Sequence, residues 1–269
     1  MNLLEIAPIW LIGLILFSGL LVAHEMGFRI ARSAFKNSER PDGLGTTVGA
    51  VMALLGLLLA FTFGAAQERF NTRRLLVINE AAAISTAYLR FETLDEPWRR
   101  VLGAQMLPYA QARAEFQQAT SNPDLLARNS ARTQALQDTM WKSLTAAVRA
   151  NSVPTLNGPL VQSANDMFVL AAQRYAASEV RVPMTILRVL LLYAAVASAL
   201  VGASGGSGRR IAIVSTAQLL MLTLAFCLIL ALDRPSSTRI SISQTAMTRV
   251  IGEIRKSEAL EAARSAPAG

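Results

Sequence analysis

Four long runs of apolar residues divide the chain, and the more polar segments lie between them and after the last. The runs cover residues 6–23, 43–67, 184–202 and 211–232. A bilayer core of about 30 Å needs ~20 residues of helix, so each run is long enough, or nearly so, to cross a membrane. The pattern predicts an all-α membrane protein whose four transmembrane helices form two hairpins.

The second run contains no charged residue, and its small residues recur at the spacing of one helix face. In lipid, such a stripe lets helix backbones approach closely, where apolar burial alone does not drive association. We therefore predict a helix-packing stripe formed by Gly45, Gly49, Ala53, Gly56, Ala60 and Gly64. After Gln67 there is no glycine or proline until Pro97, so the same helix is expected to run from about Thr46 to about Thr93.

The chain between spans two and three has helical periodicity and lacks the alternating pattern of strands. Helices are predicted at about residues 97–118, 121–150 and 160–182. A mildly amphipathic tail follows the last span, and its end, beyond about Lys256, is expected to be disordered. The predicted limits are 6–67 for the first transmembrane hairpin, 68–182 for an extramembrane helical region, 183–233 for the second hairpin and 234–269 for the C-terminal tail.

The charged residues near the spans suggest ion pairs. Glu25 and Arg29 are four residues apart and can pair on a helix surface. Arg69, Arg73 and Glu80 lie at the edge of an apolar stripe. They form either a partly buried ionic group outside the bilayer or an exposed pair that contributes under about 1 kcal/mol. Basic residues are similarly common on both sides of the spans, so charge leaves the membrane orientation open.

Composition excludes several classes of function. The chain of 269 residues is 52% hydrophobic and 16% charged, with a formal charge of +8. Its basic residues are scattered, so the pattern does not indicate nucleic-acid binding. The single cysteine, Cys227, and the single histidine, His24, do not suggest a disulfide within the chain or a metal site. No positioned acid, base or nucleophile is visible, so we predict no catalytic residue, no cofactor and no enzymatic activity.

Several short stretches are recognisable as a set, and the part from Leu59 to Arg90 is the most specific. The positions that define the motif are Glu25, Gly27, Arg29, Arg74, Arg90, Asp233 and Pro235, with supporting matches at Phe61, Phe63, Asn79, Glu80, Tyr88, Asn165, Arg174 and Pro183. Together they resemble the bacterial membrane family described as bestrophin-like, over nearly the whole chain. The family's function is not defined, and its name implies a distant relation to bestrophins.

By analogy, the resemblance implies a homo-oligomeric channel for small anions. Bestrophins are pentamers with four spans per subunit, a pore lined by the second span, and a helical region between spans two and three in the cytosol. The same arrangement here implies a multi-pass protein of the bacterial inner membrane, in contact with lipid, with the termini and helical region in the cytoplasm. The acidic calcium-binding cluster of animal bestrophins has no match that we can place.

The resemblance also implies which residues line the pore. In bestrophins, three apolar residues one turn apart on the second span narrow it. Residues with that spacing here are Leu55, Leu59 and Phe63, followed one turn later by Gln67. Arg69 and Arg73 would then stand at the inner pore mouth. The apolar residues can equally be packed or face lipid, because the sequence does not say which face looks inward.

Two functions therefore stay open. The first is an integral membrane protein that forms a bestrophin-like anion channel. The second is a non-conducting membrane scaffold or sensor whose helical region binds a partner or ligand. An intramembrane enzyme has the least support, because the spans offer only uncharged residues, His24 and Cys227 as reactive groups.

Overall fold

The structure, a computed structural model, describes residues 8–35, 43–150, 153–205, 209–233 and 242–265, and every regular element in these ranges is helical. The α-helices are α1 (Ile9–Ala34), α2 (Leu44–Phe91), α3 (Trp98–Ala119), α4 (Pro123–Ala150), α5 (Asn157–Glu179), α6 (Met184–Ser204), α7 (Arg209–Asp233) and α8 (Thr245–Ser265). A short 3₁₀ turn, Pro154–Leu156, precedes α5. The predicted all-α class is confirmed.

Four helical segments are long and apolar enough to cross a membrane. They are α1, α2, the stretch Pro154–Ser204 that ends in α6, and the Ile213–Asp233 part of α7. The helix α1 continues past the predicted end at Ala23 to Ala34, because no proline interrupts it and the Glu25–Arg29 pair supports the added turns. The predicted start at Ile6 lies outside the described residues.

The second span is one helix that continues far beyond the apolar run, as predicted. It begins after Gly43, whose φ of +91° is a backbone conformation that favours glycine. It then runs without interruption from Leu44 to Phe91. The three helices predicted after it correspond to α3, α4 and α5, although α5 ends at Glu179 rather than at residue 182.

Contacts divide the chain into two compact units. The first comprises Met1–Phe70 with Arg181–Ile240, and the second comprises Asn71–Val180 with Ser241–Gly269. In the second unit, α3 packs on both α4 and α8. The helix α8 extends to Ser265, so the disorder expected beyond Lys256 is not observed up to that residue. The alanine- and glutamate-rich sequence of this segment has high helix propensity.

The core of the first unit is built around α1, which packs along α6 and against α7. The Ser198 hydroxyl donates a hydrogen bond to the Leu20 carbonyl oxygen (2.7 Å). Further along both helices, Gly202 lies against His24. Near the starts of the two helices, Ile12 of α1 and Met184 of α6 line the same groove, so α1 and α6 run in the same direction, as the first and third of four successive crossings must.

Two glycines allow the backbones of α1 and α6 to touch. A Cβ atom added at Gly27 would overlap the main chain of Ala199, and one added at Gly202 would overlap the carbonyl group of His24. Small residues permit such close approach between helices in membranes. In the first unit, the glycines that lie directly against the main chain of another helix thus join α1 to α6, and one of them is Gly27 of the predicted motif.

Candidate functional site

On the membrane part of α2, two of the predicted pore residues face the core of the first unit. Leu55 is 0% exposed and Leu59 is also buried, and both belong to the apolar core of the first unit. They pack inside the chain and have almost no surface with which to line a pore. Phe63 is 37% exposed and Gln67 is partly buried.

Other large apolar residues of α2 are exposed. Phe61 is 68% exposed, and Leu57 and Leu54 are about half exposed. Residues two apart lie on nearly opposite sides of a helix, so Leu57 faces away from the core that contains Leu55 and Leu59. Leu57 and Phe61 are one turn apart and form an exposed apolar ridge on the membrane part of this helix.

The small-residue stripe of α2 is also uncovered. All six of its positions, from Gly45 to Gly64, are exposed. Within the described residues, a Cβ atom built at any of its four glycines meets nothing within 4 Å. The stripe is therefore open on the single chain, and its role in helix packing stays a prediction.

The second unit contains a buried ionic cluster formed by Glu80, Arg113 and Arg174, which we call the Glu80 cluster. Glu80 on α2 accepts a hydrogen bond from Arg113 Nε on α3. Its other carboxylate oxygen accepts one from Arg174 Nη1 on α5 at 2.8 Å. The three side chains are at most 3% exposed. The cluster fastens three helices together at one point.

Further contacts satisfy the two guanidinium groups. Arg174 Nη1 also donates to the Arg113 carbonyl oxygen, and its Nη2 donates to Gln244 Oε1, both at 3.0 Å. The guanidinium carbons of Arg113 and Arg174 lie 4.7 and 5.0 Å from the centre of the Phe116 ring, within the range of a cation–π interaction. Gln244 lies just before α8, so the cluster also fixes the start of that helix.

Burial and charge shift two pKa values around the cluster. Desolvation lowers the pKa of Arg174, while Glu80 acts in the opposite direction. Burial raises the pKa of the Tyr109 phenol above its usual value, and the Glu80 charge adds to this rise. The phenol therefore stays neutral. An arginine stays charged in proteins, so the cluster combines two positive groups with one negative group.

The ionic group that the structure shows at Glu80 has other partners than the predicted Arg69 and Arg73. Glu80 is fully buried and pairs with Arg113 and Arg174, neither of which was predicted as its partner. Arg73 is buried in the second unit and its Nη1 lies 3.4 Å from the Val180 carbonyl oxygen. Arg69, in the first unit, is partly buried.

The described residues contain no group of three His, Cys, Asp or Glu side chains that could hold a metal ion. Among known protein families, a family model described as the Bestrophin-like domain matches residues 14–247. This chain belongs to the bestrophin-like family. The match covers most of the chain and confirms the resemblance found in the short motifs.

Solved structures share the bestrophin-like fold. A single-mutant form of a bacterial bestrophin homolog from Klebsiella pneumoniae has 15% identity and a TM-score of 0.67, covering 89% of this chain and 94% of the other. Another mutant form has 16% identity and a TM-score of 0.65, with 89% and 97% covered. A crystal structure of a membrane protein matches with 15% identity, a TM-score of 0.66 and coverage of 89% and 96%. At this identity the likeness shows the fold alone. None of the curated proteins matches the sequence.

Several motif residues of this bestrophin-like chain make structural contacts. Arg90 Nη1 donates to the Pro159 carbonyl oxygen (2.8 Å), which ties the end of α2 to the start of α5. The buried Asp233 carboxylate accepts the Val182 N–H (2.9 Å), which joins the end of α7 to the residues before α6. A negative group there also favours the positive N-terminal end of a helix.

The remaining motif residues are more exposed. Glu25 and Arg29 form the predicted ion pair (2.7 Å) on the surface of α1. Arg74 is exposed on α2. Pro235 lies outside the described residues. Among the motif residues, Gly27, Arg90 and Asp233 thus make contacts that support the fold, and the described positions do not gather into a single binding site.

Proposed function

We propose that this bestrophin-like protein is a homo-oligomeric anion channel in which α2 of each subunit lines the pore. Membership of the family supports this proposal, and so does the open face of α2. That helix carries an uncharged face through its membrane part, with Leu57, Phe61 and the small-residue stripe left exposed by the chain's own core. The cytoplasmic location of the helical region and the bacterial inner membrane follow from the same analogy.

The small-residue stripe is the surface proposed to meet the neighbouring subunit. Its positions are exposed and its glycines have open space around them. In lipid, such a surface gains dispersion contacts only when another backbone comes close. A ring of subunits gives each stripe a partner, and a pentamer is the stoichiometry that bestrophins suggest.

Replacing Ala53 with leucine is expected to weaken assembly, because the larger side chain holds the neighbouring helix away from the stripe. Overpacking of this kind typically costs about 1–3 kcal/mol, so half-assembly should need roughly tenfold more protein. Mass measurement in detergent over a dilution series checks this. Ala65→Leu is the matched control, since Ala65 is also exposed but points about 120° away from Ala53 around the helix. Equal assembly of both variants would remove the stripe from the interface.

The constriction of the pore is proposed at Leu57 and Phe61. These residues have the one-turn spacing expected of an apolar ring, and they have the exposed surface that Leu55 and Leu59 lack. Rings of apolar side chains can gate a pore by dewetting. Phe63 and Gln67 lie on the flank of the same exposed surface. Arg69 follows along α2 and would supply positive charge near the end of the pore.

Phe61→Ala is expected to raise chloride flux across the liposome membrane severalfold, because loss of the phenyl group widens an apolar barrier to ions. The measurement is chloride efflux from vesicles that contain equal amounts of folded protein. Phe63→Ala is the matched variant, two residues away on the same helix and less exposed. A larger effect at Phe63 would return the constriction to the register that the sequence suggested.

The wild-type protein decides between the two functional classes. If a folded oligomer in liposomes passes no anion, the channel proposal fails and the non-conducting scaffold or sensor becomes the better account. The second unit would then be the part that binds a partner, because it has its own core around the Glu80 cluster.

A further inference from the structure

An apolar groove of about 400 Å³ lies in the first unit, between membrane-spanning helices. Its walls come from α1 and α6, with a contribution from α7. The volume is within the range of sites that hold small organic ligands. The main lining side chains are Ile12, Ile15, Leu16, Leu20, Leu187 and Leu191.

One charged residue stands at this groove. Arg188 is the only charged side chain among the described residues that line it. It is exposed and lies in the second turn of α6, near the end of the span. Within the described part of the chain, Arg188 takes part in no ion pair. A long arginine side chain in this position can extend to the head-group region of a bilayer.

We propose that the groove binds one acyl chain of an anionic phospholipid and that Arg188 binds the phosphate of its head group. The groove lies within segments that are long and apolar enough to be surrounded by lipid, which makes lipid the solvent of this surface. A water-soluble ligand would need several polar groups to orient it, and the lining provides one. An unpaired guanidinium beside an apolar channel matches a molecule with a long apolar chain and a phosphate at its end.

A substitution at Gly19 can alter the groove without disturbing the core. It lines the groove, and a Cβ atom added there meets nothing within 4 Å. A leucine at this position would therefore fill open space in the groove, whereas Gly27 on the same helix has no such space. Gly19→Leu thus blocks the groove, and Arg188→Gln removes the charge at its edge.

The test uses the full-length protein in an uncharged detergent, with phosphatidylglycerol or phosphatidylcholine of identical acyl chains added. Bound lipid is counted by native mass spectrometry, and the unfolding temperature is measured in parallel. We expect phosphatidylglycerol to bind and stabilise the wild-type protein more than phosphatidylcholine does. A basic residue near a membrane surface contributes about 1 kcal/mol to binding anionic lipid, so Arg188→Gln should bind phosphatidylglycerol about fivefold more weakly.

Three further variants separate the groove from general charge and bulk effects. Arg188→Lys keeps the charge and should retain most of the binding. Arg32→Gln removes an exposed charge in the last turn of α1 and should change nothing. Gly19→Leu should abolish the difference between the two lipids, whereas Val22→Leu, at an exposed position outside the groove, should preserve it.

Several outcomes would overturn the proposal. Equal effects of the two lipids on the wild-type protein would show that Arg188 does not select a head group with a net negative charge. Stabilisation by inorganic phosphate alone would indicate a simple anion site. A change of oligomeric state in Gly19→Leu without a change in lipid binding would show that a second copy of the chain covers the groove. The proposal does not depend on ion conduction.

Discussion

Replacing Glu80 with alanine is expected to destabilise the second unit by about 3–5 kcal/mol, because it leaves Arg113 and Arg174 buried without their shared carboxylate. The unfolding of this unit can be followed by tryptophan fluorescence in a Trp10→Phe background. The two remaining tryptophans, Trp98 and Trp141, both lie in the second unit. The variant should lose a large part of its stability, or fail to fold, in mild detergent.

An exposed ion pair provides the control for the Glu80 prediction. Glu115 pairs with Arg132 at 2.9 Å, but both side chains are about half exposed. Such pairs contribute at most about 1 kcal/mol, so Glu115→Ala should change the unfolding temperature little. If Glu80→Ala and Glu115→Ala unfold alike, the Glu80 cluster does not hold this unit together.

A triple variant separates the effect of charge from that of packing. In Glu80→Leu, Arg113→Met and Arg174→Met combined, the buried charges are gone and apolar side chains of similar length replace them. Replacement of a whole buried ionic group is often neutral or stabilising, in contrast to removal of one member. The triple variant should therefore be more stable than Glu80→Ala. If both are equally unstable, the hydrogen bonds that Arg174 donates to the Arg113 carbonyl oxygen and to Gln244 Oε1 matter more than charge balance.

The sequence allowed the four spans and the long α2 helix to be predicted, because both depend on local composition. The sequence also carries a signal for the Glu80 cluster. On α3, Arg113 occupies the apolar face with the helical spacing of Leu102, Met106, Tyr109 and Phe116. On α5, Arg174 follows Leu160, Met167 and Ala171 in the same way. A charge within such a stripe predicts burial with a partner.

Which partner it meets could not be predicted, because Glu80, Arg113 and Arg174 are far apart in the chain. The sequence also could not show which face of α2 is buried. The periodicity predicted an apolar residue on each turn, but Leu55 and Leu57 differ by 200° around the helix. Only the packing of the first unit shows that Leu55 is inside and Leu57 outside. The small-residue stripe could be predicted because it depends on the spacing of residues within one helix. The surface that packs on it could not, because that surface lies elsewhere.

The contact between α1 and α6 was missed because each helix contributes one isolated glycine, which forms no stripe. Gly27→Ala places a methyl group against the main chain of Ala199, which cannot rotate away as a side chain can. We expect α1 and α6 to separate and the first unit to lose about 3 kcal/mol. Cys227, the only thiol and partly buried, reports the opening through its rate of labelling on heating.

Gly202→Ala should have a similar effect from the other side of the contact, since its methyl group meets the carbonyl group of His24. Gly19→Ala, on the same helix as Gly27 but in open space, is the control and should label like the wild-type protein. The double variant Gly27→Ala with Gly202→Ala is the sharpest test. Once one methyl group has separated the helices, the second meets less resistance, so the combined loss should be smaller than the sum of the two. Additive losses would mean that the two glycines act independently. A single backbone contact between α1 and α6 would then not be what holds this unit together.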